Sequence, residues 1–252
     1  MTGPLDRLVA PLVADPRHGG IVCDIDGTLA PIAPTPERAA VIPGAVRELE
    51  RLAGKYALVA CVTGRRAAEA RRMIPVEGVE ISGNHGLEEM HGDEVSVVTQ
   101  AARYIGPMHE ALLLVENDGL LPGMGCWIED KGVTFTVHFR GSPRPDHALR
   151  YLEAQIVPKL DRAGLSWRFG RMVLEVRPPV PIDKGSAIKR LRGRRHIDQL
   201  LYVGDDRTDL DAFREATIRI AVRSAEGPQE LIDAADGCVD SPQHVVELLA
   251  SL

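Results

Sequence analysis

The sequence has little of what marks a secreted, membrane-spanning or nucleic-acid-binding protein. Its 252 residues include only four cysteines, without a CxxC pair, which argues against zinc fingers and disulfide scaffolds and predicts reduced, buried thiols. The longest apolar run near the start, residues 8–14, contains Pro11 and is flanked by Asp6 and Asp15, so we expect neither a signal peptide nor a membrane span. A net charge of −6 argues against nucleic acid or an anionic membrane as a partner.

Lysine and aromatic residues are also scarce. Arginine outnumbers lysine 25 to 5, and aromatic residues make up 4% of the chain. The arginine-rich stretch at residues 190–196 contains no aromatic residue that could stack on a base, so we interpret it as the cationic end of a helix. What remains is an enzyme-sized globular protein, for which we expect a cytoplasmic location.

Both ends of the chain alternate between apolar, strand-like runs and segments with helical periodicity. Strands are predicted at residues 21–26, 56–63, 79–82, 200–204 and 218–222. Helices are predicted at residues 43–54, 185–192, 208–216 and 243–250. This alternation predicts an α/β fold, with a Rossmann-like parallel-sheet core and helices on both faces.

The middle of the chain has a different pattern. Within residues 132–140, large apolar side chains alternate with threonine and histidine, as in a strand with one buried face. Further strands are predicted at 127–130, 165–170 and 172–177, and helices at 101–115 and 145–158. We therefore expect a catalytic core formed by residues 1–101 and 179–252, and an inserted α+β cap at residues 102–178 that acts as a substrate lid.

Chemistry-bearing residues stand at the ends of three predicted strands and at the start of one predicted helix. In open parallel sheets, reactive groups gather beyond the carboxyl ends of the strands. Each piece alone is compatible with an ordinary turn or helix cap, but the occurrence of all four at the ends of such elements indicates one shared site. The four pieces are the paired carboxylates Asp24 and Asp26, the turn Thr63 and Gly64, the helix-opening Lys184, and the acidic group Asp205, Asp206 and Asp209.

The DxDGT run at residues 24–28, together with the other three pieces, resembles the haloacid-dehalogenase-like phosphotransferase superfamily. The resemblance implies that Asp24 attacks phosphorus, that Asp26 is the general acid and base, and that Lys184 lies beside the phosphate. Thr63 and Gly64 would cradle the phosphate. Mg²⁺ would be held by Asp24, the backbone carbonyl of Asp26 and Asp205; which of Asp206 and Asp209 contacts it directly is left open.

Further motifs resemble the trehalose-6-phosphate phosphatases over about residues 21–213. They are GNHGLE at 83–88, ExK at 129–131, HxR at 138–140 and GDDxTDxDAF at 204–213. The resemblance implies hydrolysis of trehalose 6-phosphate through an aspartyl-phosphate, the last step of trehalose biosynthesis. It also implies that the sugar is bound by Asn84, His85, Glu129, Lys131, Arg140 and Glu175.

Two alternatives remain open from the sequence. One is a phosphatase acting on sucrose phosphate or a glycosyl-3-phosphoglycerate, with a mutase of the same superfamily less favoured. The other is a non-catalytic sugar-phosphate sensor, which would have no need for Asp26 beside an intact Asp24. The expected partner is a small sugar phosphate. The sequence leaves the oligomeric state open, and a monomer is compatible with it.

Overall fold

The computed structural model describes residues 3–33, 35–170, 172–224 and 227–252, and the chain divides into two units. The first, here called the core unit, comprises Met1–Ser96 and Ile182–Leu252. The second, here called the inserted unit, comprises Val97–Pro181. Within the described ranges, no helix combines the length and the hydrophobicity that a membrane span requires.

The core unit is built on an eight-stranded sheet with the strand order β12-β11-β10-β1-β2-β3-β4-β5. The strands are β1 Gly19–Cys23, β2 Leu58–Val62, β3 Glu80–Gly83, β4 Glu88–His91, β5 Glu94–Val97, β10 Gln199–Gly204, β11 Ile218–Val222 and β12 Gly237–Val239. The six strands from β12 to β3 run parallel, and β4 is antiparallel to β3. All residues of β1 and β2 are buried, as expected for strands covered on both faces.

Helices cover both faces of this sheet, which confirms the predicted fold class. They are α1 Pro4–Ala14, α2 Ala45–Ala53, α3 Ala67–Met73, α8 Lys184–Gly193, α9 Asp209–Phe213, α10 Gln229–Ala234 and α11 Pro242–Ser251. One apolar cluster joins alternate strand residues such as Ile21 to α1, α2, α3 and α11. A second joins the intervening strand residues such as Val22 to α8, α9 and α10.

The inserted unit is a four-stranded antiparallel sheet with the strand order β6-β7-β9-β8 and helices against one face. Its strands are β6 Trp127–Asp130, β7 Phe135–His138, β8 Ser166–Gly170 and β9 Val173–Arg177. Its helices are α4 Thr99–Ala102, α5 Ile105–Glu116, α6 Pro145–Tyr151 and α7 Val157–Arg162. Phe135, Val137, Leu174 and Val176 point into an apolar cluster with α5, α6 and α7, so the neighbouring residues of each strand lie on the opposite, polar face.

Proline explains two departures from the predicted helices of the inserted unit. The helix predicted at 101–115 is interrupted between α4 and α5, because Pro107 has no N–H to bond the carbonyl of Arg103. The helix predicted at 145–158 continues to Arg162 through a π-helical turn, Leu152–Ile156. That wider turn lies immediately before Pro158, where an unbroken α-helix would lack a hydrogen bond.

Carboxylates neutralise the arginine-rich end of α8. Arg190 Nε and Arg194 Nη2 donate to the two oxygens of Glu89 on β4, at 2.7 and 2.6 Å. Arg195 forms an ion pair with Glu80 on β3. The cluster therefore ties α8, which begins with Lys184, to the strands that flank the 84–86 loop.

We expect Glu89→Gln to lower the free energy of unfolding at pH 7 by roughly 1–2 kcal/mol. Burial raises the pKa of Glu89, but the hydrogen bonds from Arg190 and Arg194 outweigh it and leave that pKa below its usual value. A carboxyl group whose pKa is lower in the folded state stabilises the fold at pH values above its unfolded-state pKa. This stabilisation is lost as the pH falls through the folded-state pKa.

Chemical denaturation from pH 7 down to pH 3 should therefore show the difference between wild type and Glu89→Gln shrinking below about pH 4. Glu94→Gln on the neighbouring strand is the control, since Glu94 is exposed. A difference that stays constant with pH would contradict the ion-pair role of Glu89.

Candidate active site

The first site loop follows β1, and a tight turn holds its two carboxylates. The backbone N–H of Asp24 donates to Val203 O of the adjacent β10 at 2.9 Å. Downstream, the N–H groups of residues 28, 29 and 30 all donate to Ile25 O. This turn buries Asp24, while Asp26 remains about one third exposed.

Lys184 lies at the centre of the site with 2% of its surface exposed. Its Nζ contacts Asp24 Oδ2 at 2.9 Å and Asp209 Oδ1 at 2.7 Å. Burial by itself lowers the pKa of Lys184, but the two carboxylates outweigh burial and raise it above its usual value. Lys184 is therefore a fixed ammonium beside Asp24.

Asp209, in the first turn of α9, organises the loop that follows β10. Its Oδ2 accepts hydrogen bonds from the backbone N–H groups of Asp205 and Asp206, each at 2.9 Å. Its Oδ1 accepts from Lys184 Nζ at 2.7 Å and from Tyr202 Oη at 2.6 Å. Four donors thus surround a fully buried carboxylate, and its position fixes the backbone from which Asp205 projects.

Asp205 lies against the first loop. Its Oδ1 accepts a hydrogen bond from Thr28 Oγ1 at 3.3 Å. A Cβ on Gly27, whose φ is +78°, would lie 2.0 Å from Asp205 Oδ2. Only glycine provides both the left-handed backbone and the space for this carboxylate.

The buried carboxylates form a site that fits a hard divalent cation such as Mg²⁺. Among the residues described, Asp24, Asp205 and Asp209 bring oxygens within 4.8 Å of one another. Burial raises the pKa of Asp24 to about 7 and that of Asp205 to about 8. When all three carboxylates are ionised, the single ammonium of Lys184 leaves two negative charges in the cluster. A dication would balance this charge.

The other two predicted metal ligands are placed differently. Asp206 is exposed. Both oxygens of Asp26 accept hydrogen bonds from Arg65, from Nε and from Nη2, each at 2.6 Å. Arg65 also donates to Pro36 O at 3.1 Å, so its guanidinium is anchored on the loop that follows the first site turn. Nothing in the sequence pattern indicated this bidentate pair.

The predicted phosphate-binding turn and the 84–86 loop bond to each other. The N–H of His85 donates to Thr63 O at 2.9 Å, and the N–H of Asn84 donates to Arg65 O at 2.7 Å. A Cβ on Gly64 would lie 2.7 Å from the His85 ring, so glycine is needed for this approach. Thr63 is buried, and its Oγ1 accepts from the N–H of Arg65 at 3.2 Å.

Backbone strain marks the same loop. Asn84 and His85 have φ values of 48° and 55°, and Gly86 has a φ of 99°. Consecutive left-handed residues other than glycine occur mainly where function requires them. The Asn84 side chain hydrogen-bonds Glu88, whose Oε2 accepts from the N–H of Ala67 at the start of α3 at 2.7 Å. Asn84 thus has a structural partner within the core unit.

In the inserted unit, the predicted sugar-binding residues Glu129 and Glu175 lie on the polar face of the sheet. Glu129 pairs with Thr136 on β7, and Thr136 pairs with Glu175 on β9, so the two carboxylates share one cross-strand row. Lys131 Nζ is 3.5 Å from Glu129 Oε2. Glu175 Oε2 accepts from Arg168 Nε at 2.5 Å.

His138 lies on the same face of the sheet, at the end of β7, and Arg140 follows two residues later. His138 Nε2 is 2.8 Å from Glu129 Oε2. Burial raises the pKa of Glu129, but the hydrogen bond to His138 and the charge of Lys131 outweigh it, and the pKa lies below its usual value. Arg140 is exposed in the turn after β7. In the described part of the chain, no ion pair joins it to Glu129 or Glu175.

The structure thus brings Asp24, Lys184, Asp205 and Asp209 into direct contact. Asp26, Thr63, Gly64, Asn84, His85 and Asp206 lie on loops of the core unit. The predicted residues of the inserted unit are Glu129, Lys131, Arg140 and Glu175. The sequence patterns assigned no role to Arg65, Tyr202 or His138. A hydroxyl within the otherwise apolar β10 was the available signal for Tyr202.

Comparisons with known proteins are consistent with this geometry. The model of the trehalose-phosphatase family matches residues 22–240. A trehalose-phosphate phosphatase of Mycobacterium leprae is 32% identical over 253 residues, covering 94% of this chain and 58% of the relative. Trehalose-phosphate phosphatase B of Arabidopsis thaliana is 34% identical over 208 residues, covering 76% of this chain and 54% of the relative. The chain therefore spans less than two thirds of the length of these relatives.

Solved structures also resemble the chain. The crystal structure of a trehalose-6-phosphate phosphatase related protein superimposes with a TM-score of 0.76 at 25% identity, covering 92% of this chain and 95% of the other. The C-terminal domain of a C. albicans trehalose-6-phosphate phosphatase superimposes with a TM-score of 0.74 at 21% identity, covering 98% of this chain and 96% of the other. At 21% identity, the similarity to the C. albicans domain concerns the fold alone.

The close approach of Gly27 to Asp205 predicts that Gly27→Ala is costly. Gly92 provides a matched control, because its φ is +60° and a Cβ there would meet nothing within 4 Å. We expect Gly92→Ala to lower the free energy of unfolding by roughly 1 kcal/mol, the cost of the left-handed backbone alone. Gly27→Ala should cost at least about 1 kcal/mol more. Equal losses in chemical denaturation would show that Asp205 does not constrain residue 27.

Proposed function

Because the chain belongs to the trehalose-phosphatase family, we propose that it hydrolyses trehalose 6-phosphate to trehalose and phosphate. The observation that carries the proposal is the buried contact of Lys184 with Asp24 and Asp209, beside Asp205. Phosphoryl transfer depends on positioning and charge neutralisation, and this cluster supplies both.

Asp24 is proposed as the nucleophile. Its Oδ1 accepts the N–H of Ile25 at 2.7 Å and its Oδ2 contacts Lys184 Nζ at 2.9 Å, so its orientation is fixed before substrate binds. One carboxylate oxygen would attack phosphorus as the ester oxygen of the sugar leaves, forming an aspartyl-phosphate. Lys184 would offset the charge that the phosphate oxygens bring beside this carboxylate, and Thr63 and Gly64 would position the phosphate.

Mg²⁺ is proposed to be held by Asp24, Asp205 and the backbone carbonyl of Asp26, where it would neutralise phosphate oxygens. Asp209 is already surrounded by four donors, and this favours a role in fixing Asp205 and Lys184 over direct contact with a metal. Asp206 is exposed, which makes it the weaker candidate for direct contact.

Asp26 is proposed as the general acid and base, with Arg65 as its positioning residue. Asp26 would protonate the leaving sugar oxygen and then take a proton from the water that hydrolyses the aspartyl-phosphate. The bidentate contact with Arg65 holds the ionised Asp26 carboxylate in one orientation, and this is the form that takes the proton from water. A proton transfer requires Asp26 to exchange part of this contact for the substrate.

Sugar recognition is proposed to lie on the polar face of the inserted unit, which would serve as the lid. Glu129, Lys131 and Glu175 would bind hydroxyls of the glucose that carries no phosphate, and Arg140 would join them when substrate is bound. His85 would line the site from the strained loop of the core unit, with Asn84 beside it. The four free cysteines support a reducing, cytoplasmic location.

The test is phosphate release from trehalose 6-phosphate, sucrose 6-phosphate, glucose 6-phosphate and mannosyl-3-phosphoglycerate, with Mg²⁺ and with EDTA. We expect trehalose 6-phosphate to be hydrolysed with a kcat/KM at least about tenfold above the other esters, and only with Mg²⁺. Metal-dependent phosphate release from a different ester would support the proposed catalytic site and contradict trehalose 6-phosphate as its substrate. No release from any ester would favour a sugar-phosphate sensor.

Leaving-group dependence tests Asp26 and Arg65. A sugar alkoxide needs a proton to leave, whereas p-nitrophenolate does not, so only the sugar ester depends on the acid. For Asp26→Asn we expect kcat/KM to fall on the order of 10²–10⁴-fold with trehalose 6-phosphate, and less than about tenfold with p-nitrophenyl phosphate. Arg65→Ala should show the same selectivity with a smaller loss, up to about 100-fold.

Arg66→Ala is the matched control for Arg65→Ala, because Arg66 is the next residue and is exposed. We expect its kinetics to equal those of the wild type with both esters. If Arg65→Ala lost activity equally with both esters, Arg65 would act on the phosphate rather than through Asp26.

A further inference from the structure

An exposed tryptophan lies on the polar face of the inserted unit, outside the residues assigned so far. Trp127 opens β6 and keeps 41% of its surface exposed. It is two residues from Glu129, so both side chains project from the same face of the sheet. Large exposed aromatic side chains beside charged residues are typical of binding surfaces.

The Trp127 ring is held in a defined orientation. Trp127 pairs with His138 on β7, and their rings stack with centroids 3.8 Å apart and an interplanar angle of 1°. His138 Nε2 in turn contacts Glu129 Oε2 at 2.8 Å. Glu129 thus fixes the imidazole, and the imidazole covers one face of the indole. Only the other face of the Trp127 ring can take a ligand.

The second tryptophan of the chain shows the contrast. Trp167 pairs with Val176, so it lies on the opposite, apolar face of the same sheet. It packs against the apolar cluster, and its Nε1 donates to Asp161 at 2.8 Å. Apolar packing therefore accounts for the ring of Trp167, and a hydrogen bond accounts for its N–H. Within the described ranges, the indole N–H of Trp127 has no hydrogen-bond acceptor.

We propose that Trp127 is a sugar platform that stacks on the pyranose ring carrying no phosphate. This inference rests on the proposed function, since it names a further substrate-binding residue of the same enzyme. A pyranose presents an apolar C–H face and a rim of hydroxyls. Glu129 projects from the same strand face as Trp127, and Lys131 Nζ lies 3.5 Å from its carboxylate. The indole would take the C–H face of the pyranose, and the two charged groups would take its hydroxyls.

Fluorescence tests the platform directly. The chain has two tryptophans, so Trp167→Phe leaves Trp127 as the single indole fluorophore. Titration of this variant with trehalose, the proposed product, should change the emission of Trp127 saturably, whereas glycerol at matched hydroxyl concentration should not. In the variant Trp127→Phe, where Trp167 remains, trehalose should leave the emission unchanged.

Steady-state kinetics provides the second readout. We expect Trp127→Ala to raise the KM for trehalose 6-phosphate by about three- to tenfold, with a smaller change in kcat, and Trp127→Phe to recover part of the loss. Trp167→Phe should keep wild-type kinetics. Because Phe keeps a flat ring, recovery by Trp127→Phe separates stacking from general damage to the sheet, and thermal unfolding of each variant checks the fold.

The two proposals fail in different ways. A wild-type protein that leaves trehalose 6-phosphate intact while hydrolysing another ester overturns the proposed substrate. A wild-type protein that hydrolyses trehalose 6-phosphate, with an unchanged KM in Trp127→Ala and an unchanged Trp127 emission in the presence of trehalose, overturns the sugar platform alone.

Discussion

The buried ammonium of Lys184 is the group on which the core of this site depends. A charge with 2% exposure is stable only when it is paired, and its Nζ lies 2.9 Å from Asp24 and 2.7 Å from Asp209. Asp209 then fixes the loop that carries Asp205, so one ion-pair network positions groups from three separate segments of the chain. Removal of any member would leave a partner buried and uncompensated. The arrangement therefore constrains α8, β1 and β10 together.

Two sheets of different construction supply the two halves of the proposed chemistry. The parallel sheet of the core unit is covered on both faces, so its polar groups appear where the strands end and the backbone turns. The antiparallel sheet of the inserted unit is covered by helices on one face, so its polar groups lie along the strands. The first geometry suits a compact charged reaction centre. The second presents a broad surface of alternating charges and rings, which suits a molecule with many hydroxyls.

Sequence patterns predicted five of the six parallel strands, β12 being the exception, because apolar side chains repeat with the period of the structure they form. They also predicted helices such as α2, α8 and α11, but not α10. They did not predict α1, since Pro11 lies within it, or the hairpin of β4 and β5. β4 begins with two glutamates, and β5, which has one charged residue, is largely exposed. Such strands exist because β4 pairs with β3 and because Glu89 meets two arginines of α8. Neither the pairing nor the ion pairs leave a periodic signal in the local sequence.

The sequence by itself determined the fold class and the order of the candidate reactive groups, because hydrophobic periodicity and motif spacing are local properties. Its resemblance to a known family indicated the proposed chemistry. Only the tertiary structure decided which groups meet. The pairs Arg65 with Asp26, Tyr202 with Asp209, and Trp127 with His138 depend on strand register and on loop conformation. A shift of one residue in the register of β6 on β7 would move Trp127 and Glu129 to the opposite face of the sheet. Long-range register is set by packing of the whole unit, and no short motif encodes it.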